Sequence, residues 1–342
     1  MQKTLLGLDI GTKSIKAVQI SHEKDNKVLL AAGYIATPSN ALASQNIADE
    51  QVLADSINRL VHDMKATTLN VSASLPSTKV ITRVIEVPQM TEAELSSSIQ
   101  WEAEQYIPLP LSRVKLDYAI VEKKEDTGKM KVLLVAAPIS IIEKYMRIIT
   151  YAGLNPQALE TEILAAGRSI ADNFPALSNI VILSMGATSS EIALLRNHIL
   201  VYAKSLPIGG STLTRIIAQE LGFEIAQAEE YKKNYGLEED KLEGKIARIL
   251  NPYLHNIYSE IEKTTAYFKE QYPREEVNTV VIYGEGAKLP GLVLSITKNL
   301  GLDSQTSNPF INLSVDPNIL PTLTSDAPMY TVAIGLALKE ID

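Results

Sequence analysis

Two copies of one pattern constrain the fold of this chain most strongly. In the first copy, LLGLDIGTKSIKAVQI at residues 5–20, a turn of acid, glycine and hydroxyl residues joins two apolar strands. The second copy, within SNIVILSMGATSSEIALLRNHILVYAKSLPIGG at 178–210, has the same order of strand, glycine turn and strand. The matching positions are Asp9 with Ser184, Ile10 with Met185, and Gly11 with Gly186. This echo predicts two related lobes that face one another.

The segment between the two copies reads as a small unit of its own. It begins with the strand STKVITRVIEVP and the helix TEAELSSSIQWEAEQYIP, where Thr91 and Glu94 form a capping box. Two more strands follow, joined by the charged turn KKEDTG at 123–128, and then the helix SIIEKYMRIITYAGL. We expect a first lobe at 1–75, an inserted α+β subdomain at 76–156, and the remaining first lobe and the second lobe at 157–342.

Helices dominate the second half of the chain. Apolar spacing predicts a long helix at 253–268 and a last helix at about 328–339. Between them, VNTVVIYGEGAKLPGLVLSITKNLG reads as strand, glycine turn and helix. Strands that alternate with helices indicate an α/β protein. A chain of 342 residues is too long for one ordinary core, so we expect it to divide into lobes.

The glycine turns have one economical explanation, which is phosphate binding. Backbone N–H groups bind oxyanions well where no side chain intrudes and hydroxyls assist. Asp9 at a strand end is suited to a hydrated magnesium ion, and Lys16 on the next strand is placed to reach a phosphate oxygen. The alternative for a single turn is an ordinary hairpin.

Two other nucleotide motifs are excluded by spacing. A P-loop needs Gly-Lys-Ser/Thr before a helix, whereas Thr12 separates Gly11 from Lys13 and a strand follows. In GEGAKL at 284–289, Leu289 stands where a dinucleotide fingerprint needs its third glycine.

Composition narrows the partners and the compartment. The net charge of −8 argues against a nucleic-acid partner, which binds mainly through Lys and Arg. The absence of cysteine excludes disulfides and a cysteine nucleophile and fits a reducing cytoplasm. The longest apolar stretch, VLLVAAPISII at 132–142, is too short to span a membrane, and we expect no signal peptide and no membrane insertion.

The conjunction of these features resembles the actin and Hsp70 type of ATPase superfamily. GLDIGTKSIKAV is similar to its first phosphate motif, LSMGATSSEIALL to its second, and VVIYGEGAKLPGL to its adenosine motif. Within it, VPQMTEAELSSSIQWEAEQYIPLPL at 87–111 resembles the subdomain signature of the PilM-like proteins of type IV pilus assembly, and PIGGSTLTRIIAQELG and AEEYKKNYG are also similar. The resemblance covers essentially the whole chain. It implies a two-lobed actin/Hsp70-like ATPase fold with a small α+β subdomain inserted in the first lobe.

The resemblance also implies a site for ATP or ADP with Mg²⁺. Asp9 would face the magnesium ion through water. The phosphates would contact Gly11, Thr12, Lys13, Ser14 and Lys16 of the first motif and Gly186, Ala187 and Thr188 of the second, with Gly209 and Gly210 nearby. Ribose and adenine would contact Glu229 and Lys232, above an adenine floor of Gly284, Gly286 and Ala287. The alternative for Glu229 and Lys232, one helical turn apart, is an exposed ion pair.

One departure from the superfamily pattern bears on catalysis. Ser184 stands where the second phosphate motif usually has Asp, and a hydroxyl cannot polarise a magnesium-bound water as a carboxylate does. We therefore expect nucleotide binding with slow or absent hydrolysis. Glu285 also places a negative charge near the nucleotide unless its side chain points to solvent.

Apolar residues of the inserted segment are candidates for partner binding: Trp101, Tyr106, Ile107, Leu109 and Leu111. PilM-like proteins bind the short cytoplasmic N-terminal tail of the inner-membrane protein PilN, which implies a groove beside the insertion that receives a peptide. The alternative is that these residues are core and turn residues of a small domain. The resemblance also implies other pilus assembly partners, allows self-association, and places the chain in the cytoplasm, at the inner membrane through its protein partners.

The leading hypothesis is thus an ATP-binding, actin-like adaptor of pilus assembly. The second is a sugar or acid kinase of the same superfamily, for which no convincing strand-end Asp is found outside the turns. A third is an anchor of cell-division filaments, but YTVAIGLALKEID lacks the basic face of a membrane-binding helix.

Overall fold

The computed structural model describes residues 3–23, 26–39, 41–44, 46–124 and 128–340. Its strands are β1 (Lys3–Ile10), β2 (Ser14–Glu23), β3 (Asn26–Ala36), β4 (Asn70–Leu75), β5 (Ile81–Pro88), β6 (Val114–Lys124), β7 (Lys129–Pro138), β8 (Asn155–Thr161), β9 (Asn179–Met185), β10 (Ser190–Arg196), β11 (Ile199–Leu206), β12 (Thr279–Tyr283) and β13 (Asp303–Thr306). Its helices are α1 (Ile47–Asp63), α2 (Glu92–Glu104), α3 (Ile139–Tyr151), α4 (Glu162–Asn173), α5 (Gly210–Leu221), α6 (Ile225–Tyr235), α7 (Lys245–Gln271), α8 (Leu292–Leu300), α9 (Leu320–Ser325) and α10 (Thr331–Ala337).

Two five-stranded sheets have the same internal order. The first runs β3-β2-β1-β4-β8, with antiparallel pairing among β1 to β3 and parallel pairing of β1 with β4 and β4 with β8. The second runs β11-β10-β9-β12-β13, again three antiparallel strands and then two parallel ones. The sequence echo therefore corresponds to a structural repeat, with β1 and β9 as the matching central strands.

The inserted segment forms a third, antiparallel sheet in the order β5-β7-β6. Its helix α2 begins with the predicted capping box, in which Thr91 and Glu94 each accept from the other's backbone N–H. Leu95 and Ile99 of α2 are buried against the sheet together with Val132 and Leu134 of β7.

Helix α3, which the sequence assigns to the end of the insertion, packs elsewhere. Ile148 and Ile149 are fully buried in the cluster that includes Leu53 and Ile57 of α1 and Leu8 of β1. We propose that the compact part of the insertion runs from β5 to β7. The subdomain boundaries of 76–156 stay a prediction.

Two predicted helices differ in length from the observed ones. The helix expected at 253–268 runs from Lys245 to Gln271 and contains Pro252. The last helix, expected at 328–339, is α-helical only over Thr331–Ala337, after a 3₁₀ turn at Ala327–Tyr330. The turn expected at 123–128 lies partly outside the described residues.

Helix α10 joins the layers through two glycines. A Cβ at Gly335 would lie 1.8 Å from the carbonyl oxygen of Ala165 in α4, and one at Gly7 would lie 1.9 Å from that of Ala333. Backbones therefore touch where α10 crosses α4 and β1. Among the described residues, no helix combines the length and apolarity needed to cross a membrane.

Candidate functional site

The first glycine turn connects β1 to β2 and is held by Thr37, the residue that follows β3. Gly11 N–H donates to the Ser14 carbonyl at 3.1 Å, and the Thr37 hydroxyl donates to the Gly11 carbonyl at 2.7 Å. A Cβ at Gly11 would lie 2.8 Å from the Ser14 carbonyl oxygen, so this tight turn requires glycine. Thr12 and Lys13 are exposed at its tip.

Asp9 is buried at the end of β1, directly opposite Lys16 of β2. The Ser74 hydroxyl donates to Asp9 Oδ1 at 3.1 Å, and Lys16 Nζ lies 3.6 Å from Oδ2. Burial raises the pKa of Asp9, against the opposing effects of Lys16 and Ser74. The described residues contain no group of three or more His, Cys, Asp or Glu suited to holding a metal. Magnesium keeps most of its waters and binds through few carboxylates, so Asp9 fits it.

The second glycine turn, between β9 and β10, repeats the geometry of the first. Gly186 N–H donates to the Ser189 carbonyl at 2.9 Å, and a Cβ at Gly186 would lie 2.9 Å from that oxygen. The start of α5 packs against this turn through two backbone hydrogen bonds. Gly210 N–H donates to the Gly186 carbonyl at 2.9 Å, and Ser211 N–H donates to the Ala187 carbonyl at 2.8 Å. A Cβ at Gly209 would lie 2.6 Å from the Ala187 oxygen. These two glycines thus support the turn.

The third glycine turn follows β12 and packs on the end of β9. Gly284 has a φ of 91°, and a Cβ there would lie 2.7 Å from the Met185 carbonyl oxygen. A Cβ at Gly286 would lie 2.7 Å from the Met185 Cβ, and Ala287 is buried in the core of the second lobe. The three turns therefore meet at the carboxyl ends of β1, β9 and β12.

Glu229 and Lys232 of α6 do not form the exposed ion pair of the alternative. Lys232 is buried, and its Nζ contacts Glu229 Oε2 at 2.6 Å, Thr214 Oγ1 at 2.7 Å and the Gly210 carbonyl at 2.9 Å. Burial would raise the pKa of Glu229, but hydrogen bonds from Lys232, Thr214 and Lys13 outweigh it and lower the pKa to about 2. Lys13 Nζ donates to Glu229 Oε1 at 3.0 Å, so this ionised pair links the two lobes.

A cleft of about 770 Å³ lies between the turns. Of the predicted site residues, it is lined by Asp9, Gly11, Thr12, Lys13, Lys16, Gly186, Ala187, Thr188 and Gly284. The others are not among the lining residues: Ser14, Gly209, Gly210, Glu229, Lys232, Gly286 and Ala287. The cleft is also lined by residues from the two segments that connect the insertion to the first sheet, at 76–79 and 140–145.

Two carboxyl groups of the cleft were missed by sequence reasoning. Glu162 begins α4 directly after β8, and its Oε2 accepts from Ser77 N–H at 3.3 Å. Burial, Asp9 and Glu191 raise the pKa of Glu162 to about 8. Glu191 of β10 lies opposite Ser184 of β9, and burial raises its pKa to about 7. The available signals were a strand-end Glu and a lone Glu in the apolar strand SEIALLR.

The candidate partner residues divide into exposed and buried groups. Trp101 is 74% exposed and Leu109 is 41% exposed, so neither is a core residue. Ile107 is buried in the core of the insertion, and Tyr106 and Leu111 are partly buried against that core. The core interpretation is therefore wrong for Trp101 and fits Ile107.

Comparison with known proteins identifies the family. The profile of the type IV pilus assembly protein PilM matches residues 7–341. The chain belongs to the PilM family. A solved structure described as a PilM-PilN type IV pilus biogenesis complex is 28% identical, with a TM-score of 0.85 over 99% of this chain and 98% of that one. The resemblance of the sequence to PilM-like proteins is confirmed.

More distant similarities of this chain are to a cell division protein and to a protein solved with a bound nucleotide analogue. The cell division protein FtsA of Neisseria meningitidis is 21% identical over 98% of this chain and 89% of its own. MreB5 of Spiroplasma citri, solved bound to AMPPNP, is 13% identical with a TM-score of 0.54, over 97% of this chain and 94% of that one. The predicted actin-like ATPase fold is confirmed.

Proposed function

We propose that this PilM-family chain is an ATP-binding, actin-like adaptor on the cytoplasmic face of the type IV pilus inner-membrane complex. The observation that carries nucleotide binding is the pair of matched glycine turns, one from each five-stranded sheet, facing a single cleft. A structure of a PilM-PilN complex at 28% identity supports a membrane-protein partner of the PilN type. The family match does not favour the sugar or acid kinase.

The residues present fit ATP or ADP with magnesium. Gly11 and Gly186 allow two tight turns whose tips line the cleft, and Thr12, Lys13 and Thr188 are exposed at those tips, where their backbone and side chains would meet an oxyanion. Lys16 and the magnesium ion held by Asp9 would neutralise phosphate charge. Glu229 and Lys232 would lie on the ribose side of the nucleotide. The Lys232 ammonium keeps the Glu229 carboxylate ionised there.

We propose that hydrolysis of the bound nucleotide is slow or absent. Ser184 lines the cleft without a charge, and its hydroxyl cannot polarise a magnesium-bound water as a carboxylate does. Phosphate release from ATP and Mg²⁺ should be faster for Ser184→Asp than for the unchanged protein. Rapid release by the unchanged protein would contradict the proposal.

The proposed partner is the N-terminal cytoplasmic tail of a PilN-like membrane protein. The flank between the insertion and the first sheet receives it, where residues 76–79 and the exposed Ser140 line the cleft. Trp101 and Leu109 add exposed apolar surface on the insertion. Because this flank lines the same cleft as the glycine turns, the tail and the nucleotide share one cleft.

A tail peptide tests the partner claim directly. Fluorescence anisotropy of a labelled peptide should show micromolar or tighter binding to the full chain. Ser140→Trp, which fills the flank, should weaken binding by about tenfold or more, equal to roughly 1.4 kcal/mol. Leu294→Ala, at a 70% exposed site in the second lobe, should leave binding unchanged. No peptide binding with or without ATP and magnesium would overturn the adaptor role.

A further inference from the structure

One carboxylate of the second lobe lies among the cationic and hydroxyl groups of the first glycine turn. Glu285 begins the 3₁₀ turn after Gly284, and its Oε1 accepts a hydrogen bond from the Ser14 hydroxyl. Lys16 Nζ lies 3.5 Å from the same oxygen, and Lys13 Nζ lies 4.0 Å from Oε2. The side chain of Glu285 is 22% exposed, so it points into the cleft and not to bulk solvent.

The three groups that face Glu285 are the same ones that the family resemblance assigns to phosphate. An oxyanion with a hydroxyl donor on one side and two ammonium groups on the other is chemically close to a bound phosphate oxygen. The contacts cross the cleft, since Ser14 and Glu285 are 271 residues apart and belong to different lobes. Lys16 is shared, because Asp9 Oδ2 also lies 3.6 Å from its Nζ.

We propose that Glu285 takes the place of a phosphate group at the first turn in the nucleotide-free protein, so that a nucleotide binds only by displacing it. Glu285 is then a determinant of nucleotide affinity and a latch between the lobes. The inference rests on the proposed binding of ATP or ADP, and it adds an internal competitor for that site.

A simpler effect of Glu285 predicts a different outcome. A carboxylate that merely repels phosphate across the cleft would also weaken nucleotide binding, and its removal would leave the nucleotide-free protein as stable or more stable. A carboxylate held by Ser14, Lys16 and Lys13 stabilises the nucleotide-free protein, because charge-assisted hydrogen bonds contribute to folding. Affinity and the stability of the nucleotide-free protein must therefore be measured together.

Glu285→Gln keeps the shape of the side chain and removes its charge. Its matched control is Glu239→Gln, which changes the net charge equally at a 71% exposed site of the second lobe. Calorimetric titration of each full chain with MgATP, MgADP and adenosine gives the affinities. Thermal unfolding without ligand gives the stability, and Glu285→Ala repeats both measurements if the glutamine variant folds poorly.

The expected result is specific to phosphate. Glu285→Gln should bind MgATP and MgADP roughly tenfold or more tightly and adenosine no better, while its ligand-free Tm falls. Glu239→Gln should match the unchanged protein. Unchanged affinity for MgATP, or tighter binding with an unchanged or raised ligand-free Tm, would overturn the latch. If neither folded protein bound MgATP, the proposed nucleotide binding would itself be overturned.

Discussion

Glu191 shows what a single buried carboxyl does to the pH dependence of stability. Burial raises its pKa from the ordinary 4.5 to about 7. The folded protein therefore holds a proton that the unfolded chain has already lost, and the free energy of unfolding falls as the pH rises from about 4.5 to about 7. Glu162 adds a fall in the same direction, since its pKa is raised to about 8.

Glu191→Gln should remove the contribution of Glu191 to this dependence of the free energy of unfolding on pH. At pH 5 we expect little difference from the unchanged protein, and above pH 7 the variant should be more stable by up to about 3 kcal/mol. Urea unfolding across this pH range measures the difference. Glu104→Gln on the exposed side of α2 serves as the control. A constant difference at all pH values would contradict a raised pKa at Glu191.

At the residue scale, the two glycine turns were predictable because their pattern is local. Gly11 and Gly186 each lie in a turn that is contiguous in the chain with its two strands, while their contact with phosphate stays a prediction. The surroundings of Glu191 and Glu285 depended on other elements: the register of β9 and β10 sets Glu191 opposite Ser184, and lobe packing sets Glu285 beside Ser14. The contacts of Glu191 with Ser184 and of Glu285 with Ser14 therefore cannot be read from a short stretch of sequence.

At the scale of elements, α10 depends on close backbone contact. A Cβ at Gly335 would lie 1.8 Å from the Ala165 carbonyl oxygen, and a backbone atom cannot yield as a flexible side chain does. We expect Gly335→Ala to cost more than about 3 kcal/mol, the range of severe overpacking.

Gly301→Ala is the matched control for Gly335→Ala. Gly301 ends α8 with a φ of 65° and has nothing within 4 Å of an added Cβ, so its cost is only the left-handed strain, about 1 kcal/mol. Chemical denaturation of both variants gives the comparison. Equal losses of stability would show that α10 is able to move away from α4.

The elements themselves were predicted best where their end signals are local. The capping box fixed the start of α2 because both partners lie within four residues. The start of α7 was missed because Pro252 reads as a helix boundary. Pro252 is exposed within the helix, and the Arg248 carbonyl whose bond it removes belongs to an exposed residue, so water can replace that bond.

At the scale of the whole molecule, the insertion is bound to the second lobe as well as to the first. Tyr272 at the end of α7 donates to Glu122 of β6 at 2.7 Å and accepts from Lys131 of β7 at 2.9 Å. Arg196 of β10 donates to Glu122 at 2.8 Å and stacks 4.0 Å from the Tyr272 ring. Leu133 of β7 packs in one cluster with residues of β10 and β11.

Tyr272→Phe tests this connection. Loss of the hydroxyl leaves Glu122 and Lys131 with one partner fewer in a partly buried site, which should cost about 1–3 kcal/mol. Hydrogen exchange should rise in β6 and β7 more than in the first sheet. Tyr253→Phe, on the same helix at a 38% exposed position, is the control and should change neither measurement. Equal exchange in the two variants would contradict a role for the hydroxyl.

The sequence predicted the two lobes and the insertion between them because the echo and the element order are visible along the chain. It did not predict that the sheet of the insertion rests on the second lobe. Glu122 and Tyr272 are 150 residues apart, and their pairing is a product of lobe packing.

The exposed position of Trp101 makes the protein its own fluorescent reporter. It is the only tryptophan in the chain, so emission excited beyond the tyrosine absorption arises from α2 alone. Since this indole is already surrounded by water, unfolding should shift its emission little, whereas a tail that covers the insertion should shift it to the blue. Nucleotide binding at the glycine turns should leave the Trp101 emission unchanged. Titrations of the unlabelled protein therefore distinguish tail binding from nucleotide binding.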